Sequence, residues 1–460
     1  MKIDTKKEMV IEDYHGVLVK DPYRWLEDDN SDEVKQWTDK QNEQTLEYLN
    51  KFPERNTIKE NITHFIDYPK YSAPQKKGEY YYFHKNDGLQ NQSVFYRSKT
   101  LDLSDPEVII DPNKLSGEGT AAITNITFSP NGLKMAYAIS HNGSDWQEIR
   151  IKNLETVEDY EEVLNWCKFS NISWNKDSLG FYYNRFPDPS TISPEEMSYY
   201  NSVYWHTVGT IQDEDLLIYE DKANKEFSYI ADISDDNEYL ILKVYNGTEP
   251  KSRIYYRNLN STRPFIHLID DGENYYSFLG NDKGTFYLYT NNAAPKGRVI
   301  AVNIEKPERA NWQEIIPEQE DTISIVERIN NKFVVVYLHD AYNIVKIMDT
   351  NGKLESDLEL PKFITITGLV GDKEDTEMFI SYTSYLYPSK IISYKFDNDR
   401  VDSVIDQTEL VKPDLYETKQ VFYSSKDGTK IPMFITHKKG LRLNGDNPTL
   451  LYGYGGYNAS

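Results

Sequence analysis

From about residue 71 onward, apolar and polar residues alternate in short runs, each introduced by a polar turn. One signature recurs: a turn rich in Asn, Asp, Lys and Gly, then a strand rich in aromatic and β-branched residues. It reads KKGEYYYFHKND at 76–87, SPNGLKMAYAIS at 129–140, NKDSLGFYYN at 175–184 and SDDNEYLILKVYNG at 234–247. It continues as NDKGTFYLYTN at 281–291, NNKFVVVYLHD at 330–340 and DKEDTEMFISYTS at 372–384. Period-two alternation puts one face of each run in a core. Repeats at intervals of roughly 45–60 residues point to solenoids or propellers, and strand-dominated repeats suit four-stranded blades set radially. The seven copies therefore predict a mainly β chain with a seven-bladed propeller over 71–415. A stack of unrelated β-meanders is the alternative, and the unbroken turn-then-strand order weighs against it.

The two ends follow other patterns. Before residue 71 the apolar spacing is helical. Ser31 can cap a helix over about 31–50, with Asp32 and Glu33 in its first turn, where the helix dipole favours them. Pro53 can open a second helix, striped by Ile58, Ile62, Phe65 and Ile66, that ends before Pro69. After the repeats, VFYSSKDGTKIPMFITHKK at 421–439 reads as a hairpin. A strand is expected at 449–452, running into Gly453, Gly455 and Gly456. A hairpin followed by a strand and a glycine loop is how an α/β-hydrolase sheet opens, where such a loop supplies part of an oxyanion hole.

Composition narrows the functional classes. The net charge of −23 argues against nucleic acid and anionic membranes as partners. No apolar run approaches a membrane span, and the N-terminus has no apolar core of a secretory signal. The single cysteine, Cys167, cannot form an intrachain disulfide, which fits a reducing compartment and a cytoplasmic location. No H-E-x-x-H or Cys/His cluster supports a metal, and no cofactor motif is present. The 37 tyrosines reinforce the β reading.

Six stretches in order carry a resemblance. DPYRWLED (21–28), DYPKYS (67–72), GLQNQSV (88–94), NGSDW (142–146), SKDGTKIPMFITHKKG (425–440) and LLYGYGGYN (450–458) resemble the prolyl oligopeptidase family along the whole chain. Oligopeptidase B shares the layout and a DPY-x-WL motif, and NGSDW with YGYGGYN favours the prolyl enzymes. The resemblance implies a serine endopeptidase that cleaves short peptides on the carboxyl side of proline, monomeric when intact. It implies that 1–70 packs on a hydrolase domain, that 71–415 is the propeller, and that 416–460 begins the hydrolase domain.

The resemblance also assigns residues. Tyr454 matches a tyrosine whose phenol helps hold the tetrahedral oxyanion; a buried tyrosine with a satisfied hydroxyl is the alternative. Tyr457 matches a ring that lines the proline pocket, commonly phenylalanine in the family. Phe169 matches a pocket phenylalanine contributed by the propeller, with an ordinary blade-core aromatic nearly as good a reading. Arg253 reads as a solvated surface arginine rather than a substrate contact.

The Ser-Asp-His triad is not in the sequence. No G-x-S-x-G occurs, and none of the eight histidines matches the family's catalytic position. The chain is therefore expected to be the N-terminal portion of a longer peptidase, inactive alone, with the apolar faces of its two ends uncovered. A non-catalytic propeller scaffold that binds peptides or proteins is the competing function.

Overall fold

The computed structural model describes residues 4–28, 31–407 and 412–454, which divide into two units, 1–68 and 69–460.

The first unit opens with a hairpin, Val10–Tyr14 paired antiparallel with Val17–Asp21. Its two-residue turn has His15 at φ 56° and Gly16 at φ 87°, a left-handed pair that matches the natural strand twist. The alternation and the His-Gly step were the signals for this element, which the helical reading of the N-terminus omits. Helix α1 spans Asp32–Leu49, and the Ser31 side chain accepts a hydrogen bond from the Glu33 N–H, as the capping pattern predicts. Helix α2 spans Arg55–Ile66. Its stripe faces solvent in large part: Ile58, Ile62, Phe65 and Ile66 are all exposed.

Among the described residues the second unit contains seven antiparallel sheets of four or five strands, each a meander, with the inner strand of the first broken in two. Blade one runs over 70–110, blade two over 121–168, blade three over 172–219 and blade four over 227–269. Blade five covers 276–316, blade six 322–358 and blade seven 364–406. The seven recurrent stretches all become the second strand of a blade, preceded by the turn from the first: Tyr80–Asn86, Lys134–His141, Gly180–Arg185, Tyr239–Asn246, Thr285–Thr290, Lys332–His339 and Glu377–Ser384. First strands of neighbouring blades approach one another, which puts them around the propeller axis.

Apolar clusters fill the spaces between blades. Blades two and three, for example, share Ala138, Ile149, Leu164, Ile172, Trp174 and Phe181. Tyrosines solve a recurring problem within blades, where a large ring is buried but its hydroxyl needs a partner. Tyr137 donates to Asp159, Tyr183 to Asp215, Tyr255 to Asp270 and Tyr394 to Asp399. Burial, reinforced by the carboxylate, pushes the Tyr394 phenol up to about 12.

Among the described residues no strand is exchanged between the first and last blades. Blade one instead packs on blade seven through Ala73, Phe379 and Ile391, three buried apolar residues where every other pair of neighbouring blades shares eight to thirteen.

After the propeller, Tyr416–Ser424 pairs with Lys430–Lys438 in the expected hairpin, longer at its open end than the pattern marks. Phe434 seats it between Phe363 and Tyr385, each 5.4 Å away between ring centroids. The expected strand at 449–452 is not formed. Leu450, Leu451 and Tyr452 are 90%, 82% and 82% exposed, and no neighbouring strand among the described residues takes up their backbone hydrogen bonds.

Candidate functional site

The topology gives the propeller two different ends. Turns between first and second strands gather at one end. Connections between blades, and turns between second and third strands, gather at the other.

Phe169 lies at the second end, in the connection from blade two to blade three. It is 68% exposed, so it is not a blade-core aromatic. Its backbone has φ 52°, a left-handed conformation that costs a residue with a Cβ about 1–2 kcal/mol. Neighbours impose it. Ser170 donates to the carbonyl of Asn184, and the Asn171 N–H donates to the Asn184 side chain, 3.0 Å away. The Lys168 ammonium lies 5.7 Å from the Phe169 ring. A strained, outward-facing aromatic pinned by buried polar contacts is a presented residue rather than a packed one.

Trp146 of the NGSDW stretch meets Phe186 edge to face, 6.0 Å between centroids, with the Lys168 ammonium 5.7 Å from its ring. Arg253 is not a solvated arginine. Its guanidinium is stacked 4.7 Å from the Phe227 ring, bonds to the Asp270 carbonyl and presses on Gly272. Its side chain is 18% exposed, because a residue on a third strand faces the next strand rather than water.

Tyr454 is 61% exposed and follows the unpaired stretch 450–453; it is not a buried tyrosine. Among the described residues no hydrogen bond or ring contact links it with Phe169. Tyr457 lies outside the described residues. Cys167 is fully buried, and burial pushes its thiol up to about 12, so it offers no nucleophile. Among the described residues no group of His, Cys, Asp and Glu is arranged to hold a metal ion.

The other end carries a cluster that motif reading misses. Arg328 of blade six lies 3.2 Å from Asp235 of blade four and 3.2 Å from Asp282 of blade five. Lys373 of blade seven reaches the same carboxylates, at 3.1 and 3.5 Å. Four blades thus converge, and the contact from blade seven to blade four crosses the axis. Burial opposes ionisation of Asp282, but Arg328, then the donating Tyr287 hydroxyl, then Lys373 outweigh it and hold the carboxyl below its usual range. Gly280, at φ 126°, permits the approach, since a Cβ there would sit 2.6 Å from an Asp235 oxygen. The four residues lie in or beside the polar turns of the repeat; nothing local distinguishes them from other turn charges.

Comparison with known proteins places these features. Residues 3–407 match the family model described as "Prolyl oligopeptidase, N-terminal beta-propeller domain". The chain is similar to the prolyl endopeptidase of Elizabethkingia miricola, 39% identical over 99% of this chain and 64% of that protein. It is 33% identical to the dual function macrocyclase-peptidase of Amanita bisporigera, over 96% of this chain and 64% of that protein. Among solved structures, a prolyl endopeptidase superposes with TM-score 0.89 at 30% identity, over 100% of this chain and 67% of that one. Prolyl oligopeptidase B of Galerina marginata, bound to a 35mer hydrolysis and macrocyclization substrate, superposes with TM-score 0.85 at 30% identity, over 96% of this chain and 66% of that one. The chain spans 64% of the length of the two Elizabethkingia prolyl endopeptidases it matches.

Proposed function

The chain belongs to the prolyl oligopeptidase family, and from that premise we propose that the intact protein is a serine endopeptidase that cleaves short peptides on the carboxyl side of proline. The supporting observation is that relatives named prolyl endopeptidases align over 99% of this chain. In this reading the propeller caps a catalytic α/β-hydrolase domain. Residues 1–70 and 416–460 pack on that domain, so the exposed stripe of α2 and the exposed 450–452 segment are faces meant for it. The protein works as a monomer in the cytoplasm.

The chemistry is acyl transfer from the peptide carbonyl to a serine, with a histidine as general base held by an aspartate. That triad belongs to the part of the family architecture that these 460 residues do not carry. Tyr454 supplies a neutral phenolic donor to the oxyanion, which stabilises charge present only in the transition state. Phe169 and Tyr457 present ring faces to the substrate, Tyr457 to the proline itself. A pyrrolidine has no hydrogen-bond donor to satisfy, so apolar rings complement it without leaving a polar group unpaired.

The test is turnover of a Gly-Pro reporter peptide by the protein carrying the catalytic domain. Activity is expected there and not in the 460-residue chain. Tyr454→Phe should lower kcat by about 10²–10³-fold with little change in KM. Unchanged turnover would remove Tyr454 from the mechanism. No cleavage by the complete protein would favour a peptide-binding scaffold.

A further inference from the structure

Blade one is built differently from the rest on its axial side. Its inner edge is two short strands, Lys70–Tyr71 paired with Lys85–Asn86 and Gln75–Lys77 paired with Tyr80–Tyr82. Between them Ser72, Ala73 and Pro74 leave the sheet. Ser72 stays tied to the second strand: its N–H donates to the His84 carbonyl at 3.0 Å, and its hydroxyl accepts from the His84 N–H at 2.9 Å. The break leaves side chains of the second strand uncovered and opens a cavity of about 300 Å³ against the inner strand of blade two.

The cavity wall is aromatic. Tyr82 and Phe128 are 4.6 Å apart between ring centroids, and Phe95 is 6.0 Å from Tyr82. The polar side chains on the lining are all uncharged at neutral pH: the hydroxyls of Ser72, Tyr82 and Thr124, the amides of Gln75 and Asn125, and the imidazole of His84. Burial lowers the His84 pKa, so its ring is neutral, one nitrogen a donor and the other an acceptor. The ring packs on Phe95, 4.8 Å between centroids, and among the described residues neither its nitrogens nor the Gln75 amide has a hydrogen-bond partner. Thr124, on an inner strand, is exposed, so the cavity is open beside the axis.

We propose that this cavity binds one uncharged aromatic ring bearing a hydroxyl, a phenol, supplied either as a free small molecule or as a tyrosine side chain of a peptide lying along the axis. The volume fits a single substituted ring, at the small end of ligand pockets. The ring faces and edges of Tyr82, Phe95 and Phe128 give offset or edge-on contacts. A hydroxyl both donates and accepts, and so meets the imidazole and the amide. A charged ligand would find no counter-ion on the lining and would keep its desolvation cost. The site stands whether or not the intact protein is a peptidase.

The test is titration of 4-methylphenol into the 460-residue chain, followed by calorimetry and by the imidazole proton resonances of His84. Saturable one-to-one binding that shifts His84 is expected. Kd should weaken at least tenfold in His84→Phe, which removes the hydrogen bonds, and in Thr124→Trp, which fills the mouth. If His84→Phe does not fold, Thr124→Trp carries the comparison, because Thr124 is exposed. Displacement by capped Ala-Tyr-Ala but not by capped Ala-Leu-Ala identifies a peptide tyrosine as the source. Binding of the methylphenol without displacement identifies a free phenol. No saturable binding, or the same Kd in the wild type and the folded variants, overturns the site. None of these readouts requires turnover, so failure here leaves the peptidase reading standing, and the reverse.

Discussion

Tyr81 of blade one meets Phe379 of blade seven edge to face, with ring centroids 5.9 Å apart and planes at 88°. This pair closes the ring of blades. Among the described residues Ala73 and Ile391 join Phe379 in the fully buried core of that seam, with half-buried Tyr71, Leu101, Val370, Val404 and Ile405 packed on it. Phe379→Ala should cost about 3–5 kcal/mol, measured as a lower denaturation midpoint. Amides of blades one and seven should exchange before those of blades three to five, because a thin interface opens at lower free energy than a thick one. Uniform exchange across the seven blades would show that the seam is no weaker than the rest.

Arg328 should be the most costly charge to remove. Its side chain is 3% exposed and sits between Asp235 and Asp282. Arg328→Ala leaves Asp235 and Asp282 to Lys373 alone and removes their buried charge-assisted hydrogen bonds, which should cost about 1–3 kcal/mol. Lys77→Ala breaks a partly exposed pair with Asp372 and should cost no more than about 1 kcal/mol. Chemical denaturation of the two variants ranks them, and equal losses would contradict the buried-network account.

Phe169→Gly should separate stability from function. Glycine relieves the left-handed strain at φ 52°, and the exposed ring gives up little burial. After the entropy glycine adds to the unfolded chain, a net gain of about 0.5–1 kcal/mol is expected. In the protein with its catalytic domain, the same change should raise KM for proline peptides. A destabilised variant with unaltered KM would make the ring a packing residue.

Acid should weaken the propeller partly through His84. Burial lowers its folded-state pKa from the ordinary 6.5, so the unfolded chain takes up the proton first. Above about pH 6.5 both states are neutral and His84 has no effect. As the pH falls below that value, its contribution is lost progressively until the folded pKa is passed. The difference in midpoint between pH 7.5 and pH 5.5 should therefore shrink in His84→Phe, and an undiminished difference would assign the acid sensitivity elsewhere.

The elements that local pattern specifies were legible. The Ser31 cap, the two helices, the second strand of every blade and the hairpin around Asp427 and Gly428 all depend on neighbours within a few residues. Period-two alternation and turn chemistry are short-range, and a repeat states them seven times. The hairpin over Val10–Asp21 carries the same signals, but they are brief and lie beside a region of helical spacing that masks them. The expected strand at 449–452 had the right residues, but a strand is completed only by a partner, and none pairs with it among the described residues.

Alternation and turn residues, written along the chain, were enough to set the blade count, because each blade is assembled from consecutive strands; the family resemblance rested on six ordered motifs. Three-dimensional packing alone decided where charge and strain would concentrate. Arg328 and Asp235 are 93 residues apart, and only closure of the ring places them together. The stacking of Arg253 on Phe227, the outward turn of Phe169 and the cavity beside His84 are likewise set by what neighbouring strands and blades leave open. Local propensity chooses the backbone of a segment, but exposure and electrostatic surroundings belong to the groups that fold against it.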